Sequence, residues 1–370
     1  MTRVLFEVTQ DYYWPSMEPI YQAMEADSSY ELRIRVGRNH RRFAGVFLIP
    51  QQRAIERLHE AKGYRTTRSA AGFDVVIAGD AIKDGAQYGG ALLCDVDHGP
   101  GFKTLRYRNF AACADTPQVV FVEGRYRLEK FRKYGLDTIH TVIDVGLPKL
   151  DPLLQGRYSR DEILSRYGLD PSRPTVVYAP SYKPTSIFLI GEAFVPLLDS
   201  YNVIVKLHPY SWNGKYAPHR QHRLFERLAA KHPALKLVPP SDHNMLPYLA
   251  AADTLVSEGS SVINEFLALG RCGVIVDLPD ERLRHHDGQP LLEERTAEWL
   301  RDSFVHISSR EELRAAVETA LNPGAERRRH IERDRDYLFT HTDGQSAHRV
   351  KKTIERLLAE RPKAAAKKAS

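Results

Sequence analysis

Cysteine is scarce in this chain: Cys94, Cys113 and Cys272 are the only three in 370 residues, and no two share a paired spacing. That excludes a disulfide scaffold and a cysteine zinc site, and it suits a reducing cytoplasm. Long apolar runs are missing too. No stretch approaches the roughly 18 uncharged apolar residues of a membrane span. The start, Met1-Thr2-Arg3 and one short apolar run, lacks the parts of a secretory signal, so a cytoplasmic location is expected. There is no G-x-G-x-x-G after the first strand, no P-loop, no G-x-S-x-G elbow and no H-E-x-x-H. Hydride transfer, P-loop ATP hydrolysis, serine hydrolysis and zinc proteolysis are therefore disfavoured. No repeat of 20–50 residues and no long low-complexity segment is visible.

What remains is an ordinary globular composition, 42% hydrophobic and 27% charged, long enough for two domains. Lys and Arg (53) exceed Asp and Glu (47) by six, which favours an anionic partner: nucleic acid, a nucleotide diphosphate or an anionic membrane surface. Much of the excess lies in the Ala/Lys-rich end, residues 361–370. It reads as a disordered tail, chiefly solvated, with transient attraction to an anionic leaflet as its functional reading.

Short β-branched runs alternate with helix-length polar segments. Strands are expected at Val4–Val8, Leu32–Val36, Val75–Ala78, Leu92–Val96, Val119–Val122 and Thr141–Val145. A second series covers Thr175–Ala179, Val203–Leu207, Leu235–Val238, Thr254–Ser257, Val274–Asp277 and Val305–Ile307. Helices are expected at Ser16–Ala26, Arg125–Tyr134, His219–Lys231 and Val262–Leu269. Several strand runs are apolar at nearly every position, as strands buried on both faces are, so the sheets should be mainly parallel. This is an α/β, doubly wound pattern. Two prolines in Leu147-Pro148-Lys149-Leu150-Asp151-Pro152 separate the series. The expected division is 1–150 and 151–340 as two Rossmann-like domains, 341–360 as a C-terminal helix and 361–370 as the tail.

In such sheets ligands bind beyond the carboxyl ends of the strands. Four strand ends carry chemistry. After Leu92–Val96 come Asp97-His98-Gly99-Pro100-Gly101-Phe102-Lys103: an imidazole that can accept a proton near neutral pH, with Asp97 or Asp95 to orient it. After Val176-Val177-Tyr178 come Ala179-Pro180-Ser181-Tyr182-Lys183, a hydroxyl and a cation for a phosphate. Val203–Leu207 ends in His208-Pro209. Leu255-Val256-Ser257 passes through Glu258-Gly259 to Ser260-Ser261 and a helix, where hydroxyls and free N–H groups suit an anion, and Glu265 one turn on could meet a ribose diol. Taken alone, each has a plain alternative: a turn histidine, a solvated lysine, a helix cap, a solvated helix face.

At these places the chain resembles the CDP-glycerol glycerophosphotransferases, the teichoic-acid primases and polymerases and their capsule relatives. His98-Gly99-Pro100-Gly101-Phe102-Lys103 is similar to the family's His-Gly-Thr-Pro-x-Lys stretch, and Tyr178-Ala179-Pro180-Ser181-Tyr182-Lys183 to its Tyr-Ala-Pro-Thr-Trp-Arg stretch. Leu207-His208-Pro209, Ser257-Glu258-Gly259-Ser260-Ser261 and Asp343-Gly344-Gln345-Ser346-Ala347 match further motifs in order. The resemblance implies a GT-B architecture, two facing Rossmann-like domains with a cleft. It implies transfer of an alcohol phosphate from a CDP-alcohol to a glycan or polyprenyl-diphosphate-linked acceptor, with release of CMP. His98 would be the base and His208 a second catalytic group. His208, Ser181, Lys183, Ser260, Ser261 and Glu265 would hold the donor, and Asp97, Gly99 and Lys103 would lie on the acceptor side. No resident metal is implied beyond Mg²⁺ on the donor diphosphate. Glu258-Gly259 replaces the family's Asp-Tyr, and Lys183 replaces its arginine. The family's membrane-docking N-terminal extension has no counterpart in these residues, although peripheral association with the inner membrane face stays an expectation. The alternatives are a glycosyltransferase or nucleotide-sugar epimerase using a UDP-sugar, and a nucleic-acid-binding protein. No nucleic-acid partner is expected, since only Arg125–Tyr134 interleaves basic and aromatic residues and a solvated amphipathic helix explains it equally.

Overall fold

The computed structural model describes residues 1–37, 40–43, 47–50, 52–212, 220–279 and 284–361. The expected tail beyond residue 361 and the expected helix start at His219 lie outside the described residues. Two six-stranded sheets form the frame. The first contains β1 (Thr2–Val8), β2 (Tyr30–Val36), β5 (Val75–Ala78), β6 (Leu92–Asp95), β7 (Val119–Val122) and β8 (Thr141–Asp144) in the order β2-β1-β5-β6-β7-β8. Between β2 and β5 the chain adds an antiparallel hairpin, β3 (His40–Phe43) with β4 (Phe47–Pro50). The second sheet contains β9 (Thr175–Tyr178), β10 (Asn202–Val205), β11 (Leu235–Leu237), β12 (Thr254–Ser257), β13 (Val274–Val276) and β14 (Val305–Ile307) in the order β11-β10-β9-β12-β13-β14. Every pairing inside both sheets is parallel.

The burial explains the pattern. β5, β9, β10 and β12 are buried at every position, because helices cover both faces. β2, at the sheet edge, alternates instead. The expected strands are all present, with ends moved by one or two residues. The hairpin was not expected, since His40-Arg41-Arg42-Phe43 carries no strand periodicity. The helix Trp14–Glu25 buries Met17, Ile20, Tyr21 and Met24, the spacing of one helical face, against the first sheet. Truncating one of these, such as Ile20→Ala, costs about 2–5 kcal/mol.

The last helix, Ser346–Glu360, crosses back. Its Ala347, Val350 and Ile354 join the core of the first sheet. The Asp151 carboxylate caps it, accepting from the backbone N–H of Ser346 (3.0 Å) and Ala347 (2.7 Å). A second clamp joins the halves: Phe102 stacks on Trp299 (centroids 4.6 Å), and Lys130 of the helix Arg125–Lys133 meets Glu294 at 2.8 Å. That helix is amphipathic as expected, with Arg125, Glu129, Arg132 and Lys133 exposed, and its Lys130 adds a link between the halves. No helix among the described residues is long and apolar enough to cross a membrane. The two facing parallel α/β sheets are the GT-B arrangement.

Candidate active site

Chain order reverses between β1 and β5 in one sheet and between β9 and β12 in the other, and ligands gather at such points. The loops that follow these strands, with those after β6 and β10, enclose one cavity of about 430 Å³. Asp97, His98, Gly99 and Lys103 line it from the first half, and Ser181, His208, Ser260, Ser261 and Glu265 from the second. Residues as far apart in sequence as Tyr12 and Glu265 thus meet there.

His98 stacks on Tyr13, with centroids 4.1 Å apart and 20° between planes. Its Nδ1 lies 2.8 Å from the Gly79 carbonyl oxygen. A carbonyl only accepts, so Nδ1 carries a proton, and it is Nε2 that holds the lone pair in the imidazole form of the ring. Neither Asp97 nor Asp95 orients the ring. Asp97 stands 3.7 Å from Nδ1 and accepts instead from the backbone N–H of His98 (2.7 Å) and Gly99 (3.3 Å). Asp97 holds the loop at φ 51°, and the Gly79 carbonyl holds the ring. Burial pushes the Asp97 carboxyl up, but Arg106 (3.2 Å) and Arg127 (3.5 Å) outweigh it and hold it below the usual carboxylate range. Asp95, fully buried on Arg106 at 2.7 Å, is pushed up to about 7 by that burial.

His208 has the opposite polarity. Its Nδ1 accepts from the Tyr210 backbone N–H at 3.1 Å, so the proton sits on Nε2. Burial, then the charges of Lys103, His98 and Lys206, lower its pKa to about 3. The ring is a neutral hydrogen-bond donor. Tyr12 lies edge-on to both histidines, with centroids 6.2 Å from His98 and 5.8 Å from His208.

Ser181 is buried, and its backbone N–H donates to Glu258 at 2.8 Å. The Glu258 carboxylate also takes the backbone N–H (3.2 Å) and hydroxyl (2.8 Å) of Ser186, tying the loop after β9 to the turn after β12. Burial pushes its pKa up to about 8. Beyond Ser181 the chain turns Tyr182 into the cavity and leaves Lys183 exposed. Lys183 is not on the cavity wall. The lysines that are there are Lys103, expected on the acceptor side but reaching over the Tyr182 ring of the opposite wall at 5.5 Å, Lys149 and Lys206. Burial lowers Lys103, and lowers Lys206 to about 8, a cost that a bound anion would repay.

Ser260 occupies the N-cap position of the helix Ser261–Leu267, but its side chain makes no cap bond. Plain capping therefore does not account for this hydroxyl. Ser261 faces Gly99 so closely that a Cβ on Gly99 would lie 2.6 Å from Ser261 Oγ. Glu265 is 1% exposed rather than on a solvated face. Its Oε1 accepts from Lys149 at 2.6 Å, while its buried Oε2 has no hydrogen-bond partner. Among the described residues no group of three His, Cys, Asp or Glu side chains is placed to hold a metal ion.

The sequence model of the CDP-glycerol:poly(glycerophosphate) glycerophosphotransferases matches residues 122–356. The chain belongs to this family. It is a transferase, and the matched residues supply Arg127 and Lys149 of the first wall and the whole second wall of the cavity. Among solved structures it is similar to the wall teichoic acid polymerase TagF, at 15% identity over 97% of this chain and 89% of that one, with a TM-score of 0.66. A TagF variant with one histidine changed to asparagine, soaked with CDPG, gives the same values. The chain is also similar to a UDP-bound MnaA of S. aureus, at 12% identity over 98% and 99% of the chains and a TM-score of 0.61. These likenesses are of fold. No curated protein matches the sequence. Sequence reasoning missed Tyr12, Lys149 and Lys206 in this glycerophosphotransferase. Tyr12 follows the end of β1, so the same strand-end rule applied to the first strand would have found it.

Proposed function

We propose that the protein moves glycerol phosphate, or a similar polyol phosphate, from a CDP-alcohol to a hydroxyl of a glycan or polyprenyl-diphosphate-linked acceptor. CMP leaves, and the reaction serves cell-surface polymer synthesis at the inner face of the membrane. The observation that carries this reading is the opposed polarity of the two histidines: His98 offers a lone pair and His208 an N–H across one cavity. Family membership and the CDPG-soaked TagF variant support CDP-glycerol as the donor.

In the proposed reaction the acceptor oxygen attacks the β-phosphorus and its proton passes to His98 Nε2. The bond from β-phosphorus to the bridging oxygen breaks, and CMP carries that oxygen away. The charge of the departing phosphate is met by His208 Nε2–H, Lys103, Lys206 and the hydroxyls of Ser260 and Ser261. Such preorganised donors and cations are the main help a protein gives this chemistry. The unpartnered Oε2 of Glu265 is free to accept from a ribose hydroxyl. The base contributes about 10²–10⁴-fold. The proposed steps require no resident metal, and any Mg²⁺ would come with the donor diphosphate.

The test is acceptor-dependent release of CMP from CDP-glycerol by the purified protein, with UDP-N-acetylglucosamine as the competing donor. CMP release with the UDP-sugar untouched is expected. Turnover of the UDP-sugar with CDP-glycerol inert would replace this reading by a glycosyltransferase or epimerase.

A further inference from the structure

A second surface lies outside the cavity but is tied to its wall. The short helix Ile187–Ile190 buries Ile187 and Ile190 completely and leaves Phe188 63% and Leu189 40% exposed. Contiguous exposed apolar surface rimmed by polar residues is where partners and membranes attach. Beside them the helix Gln221–Lys231 buries Leu224 and Phe225 and turns Arg223 and Arg227 outward, one turn apart, with Arg220 at its head. Phe188 and the three arginines line one open groove of about 680 Å³. None of the three makes an ion pair among the described residues. The groove's one acidic residue, Glu226, stands 4.0 Å from His222. Gln221 fixes this helix to the active site by donating to the Tyr182 carbonyl at 3.0 Å.

We propose that this face docks on an anionic phospholipid bilayer. Phe188 and Leu189 enter the boundary between headgroups and acyl chains, and Arg220, Arg223 and Arg227 bind lipid phosphates. Charge complementarity selects an anionic partner, since three guanidiniums face one carboxylate. The apolar pair selects a lipid surface over nucleic acid, which would satisfy the arginines and leave Phe188 and Leu189 in water. The inference does not rest on the proposed reaction. Its consequence is that the wall carrying Tyr182 is held at headgroup level.

The experiment is cosedimentation of the full chain with vesicles of equal parts phosphatidylglycerol and phosphatidylcholine, against phosphatidylcholine alone. Binding to the anionic vesicles only, weakened by added salt, is expected. Arg223→Gln with Arg227→Gln should lower the partition coefficient about thirtyfold, from two lost surface charges. Phe188→Ser with Leu189→Ser should lower it as well. All four side chains are exposed, so unfolding curves and protection by CMP should match the unaltered protein. Equal vesicle binding by both variants would place the attachment elsewhere on the chain and overturn the proposal. So would equal binding to neutral vesicles, or no vesicle binding with arginine-dependent capture of single-stranded RNA.

Discussion

His98 and His208 face one cavity with their protons on opposite nitrogens. Nδ1 of His98 donates to the Gly79 carbonyl at 2.8 Å, whereas Nδ1 of His208 accepts from the Tyr210 backbone N–H at 3.1 Å. Backbone groups set both tautomers, so the proposed division of labour would be built into the two strand ends. His98→Ala should lower kcat by about 10² or more, the loss expected for a general base, with donor affinity little changed. His208→Ala should weaken donor affinity as well as rate, and His208→Asn should recover part of the affinity because an amide N–H replaces the lost donor. The check is donor titration and turnover on the three variants. If His98→Ala weakened donor binding as fully as His208→Ala, the division would fail.

Gly99 and Ser261 meet where the two walls leave no room for a side chain. A Cβ on Gly99 would stand 2.6 Å from Ser261 Oγ and 2.9 Å from Ser261 Cβ. Gly99→Ala should cost about 1–3 kcal/mol by overpacking and should reduce donor affinity through the displaced hydroxyl. Adding Ser261→Gly removes both clashing atoms, so stability should return in part while donor affinity stays low. Denaturant unfolding of the four proteins gives the coupling directly. Simple additivity of the two stability changes would contradict the contact.

Lys103 and Lys183 should separate cleanly. Lys103 is on the cavity wall and burial already lowers its pKa, so a diphosphate would recover that cost. Lys103→Ala should weaken CMP or CDP-glycerol binding by about 1.5–3 kcal/mol, as loss of a bond to a charged group does. Lys183 is exposed and off the wall, and Lys183→Ala should stay within about 0.5 kcal/mol of the parent in affinity and stability. Calorimetric titration of both variants decides. Equal losses would return Lys183 to the site.

These outcomes mark how far the amino-acid pattern can be read. β9, β10 and β12 are legible because strands covered on both faces leave unbroken apolar runs, and His98, His208 and Ser261 are legible because parallel strands deliver ligand groups at their carboxyl ends. The inward residue of an irregular loop is not legible in the same way. Tyr182 rather than Lys183 turns in because the Ser181 amide is tied to Glu258, a residue 77 positions away. Lys149 and Glu265, paired at 2.6 Å, are 116 positions apart and share no local signal. The partner of the His98 ring is a backbone carbonyl, which no side-chain motif can announce.

Glu258 ties two loops of the donor wall, and its burial makes that tie depend on pH. The carboxyl accepts from Ser181 and Ser186 and is fully buried, which raises its pKa from an ordinary 4.5 to about 8. Between those values the folded chain holds a proton that the unfolded chain has lost. The stabilising contribution is therefore complete below pH 4.5 and is lost as pH rises through about 8. Protonated, the carboxyl donates to Ser186 Oγ, which can pass its own hydrogen to the Tyr178 hydroxyl 2.7 Å away. Glu258→Gln keeps that arrangement with no proton to lose, so its Tm should fall less steeply toward alkaline pH than that of the parent. His208 works on the other side. Its pKa drops from 6.5 to about 3, so its contribution is present above 6.5 and is lost as pH falls toward 3. Glu258→Gln should leave that acid limb untouched. Thermal unfolding of parent and variant across the pH range tests both limbs. A variant with the alkaline slope of the parent would mean that Glu258 is ionised in the fold, and its tie to Ser186 would then be charged throughout.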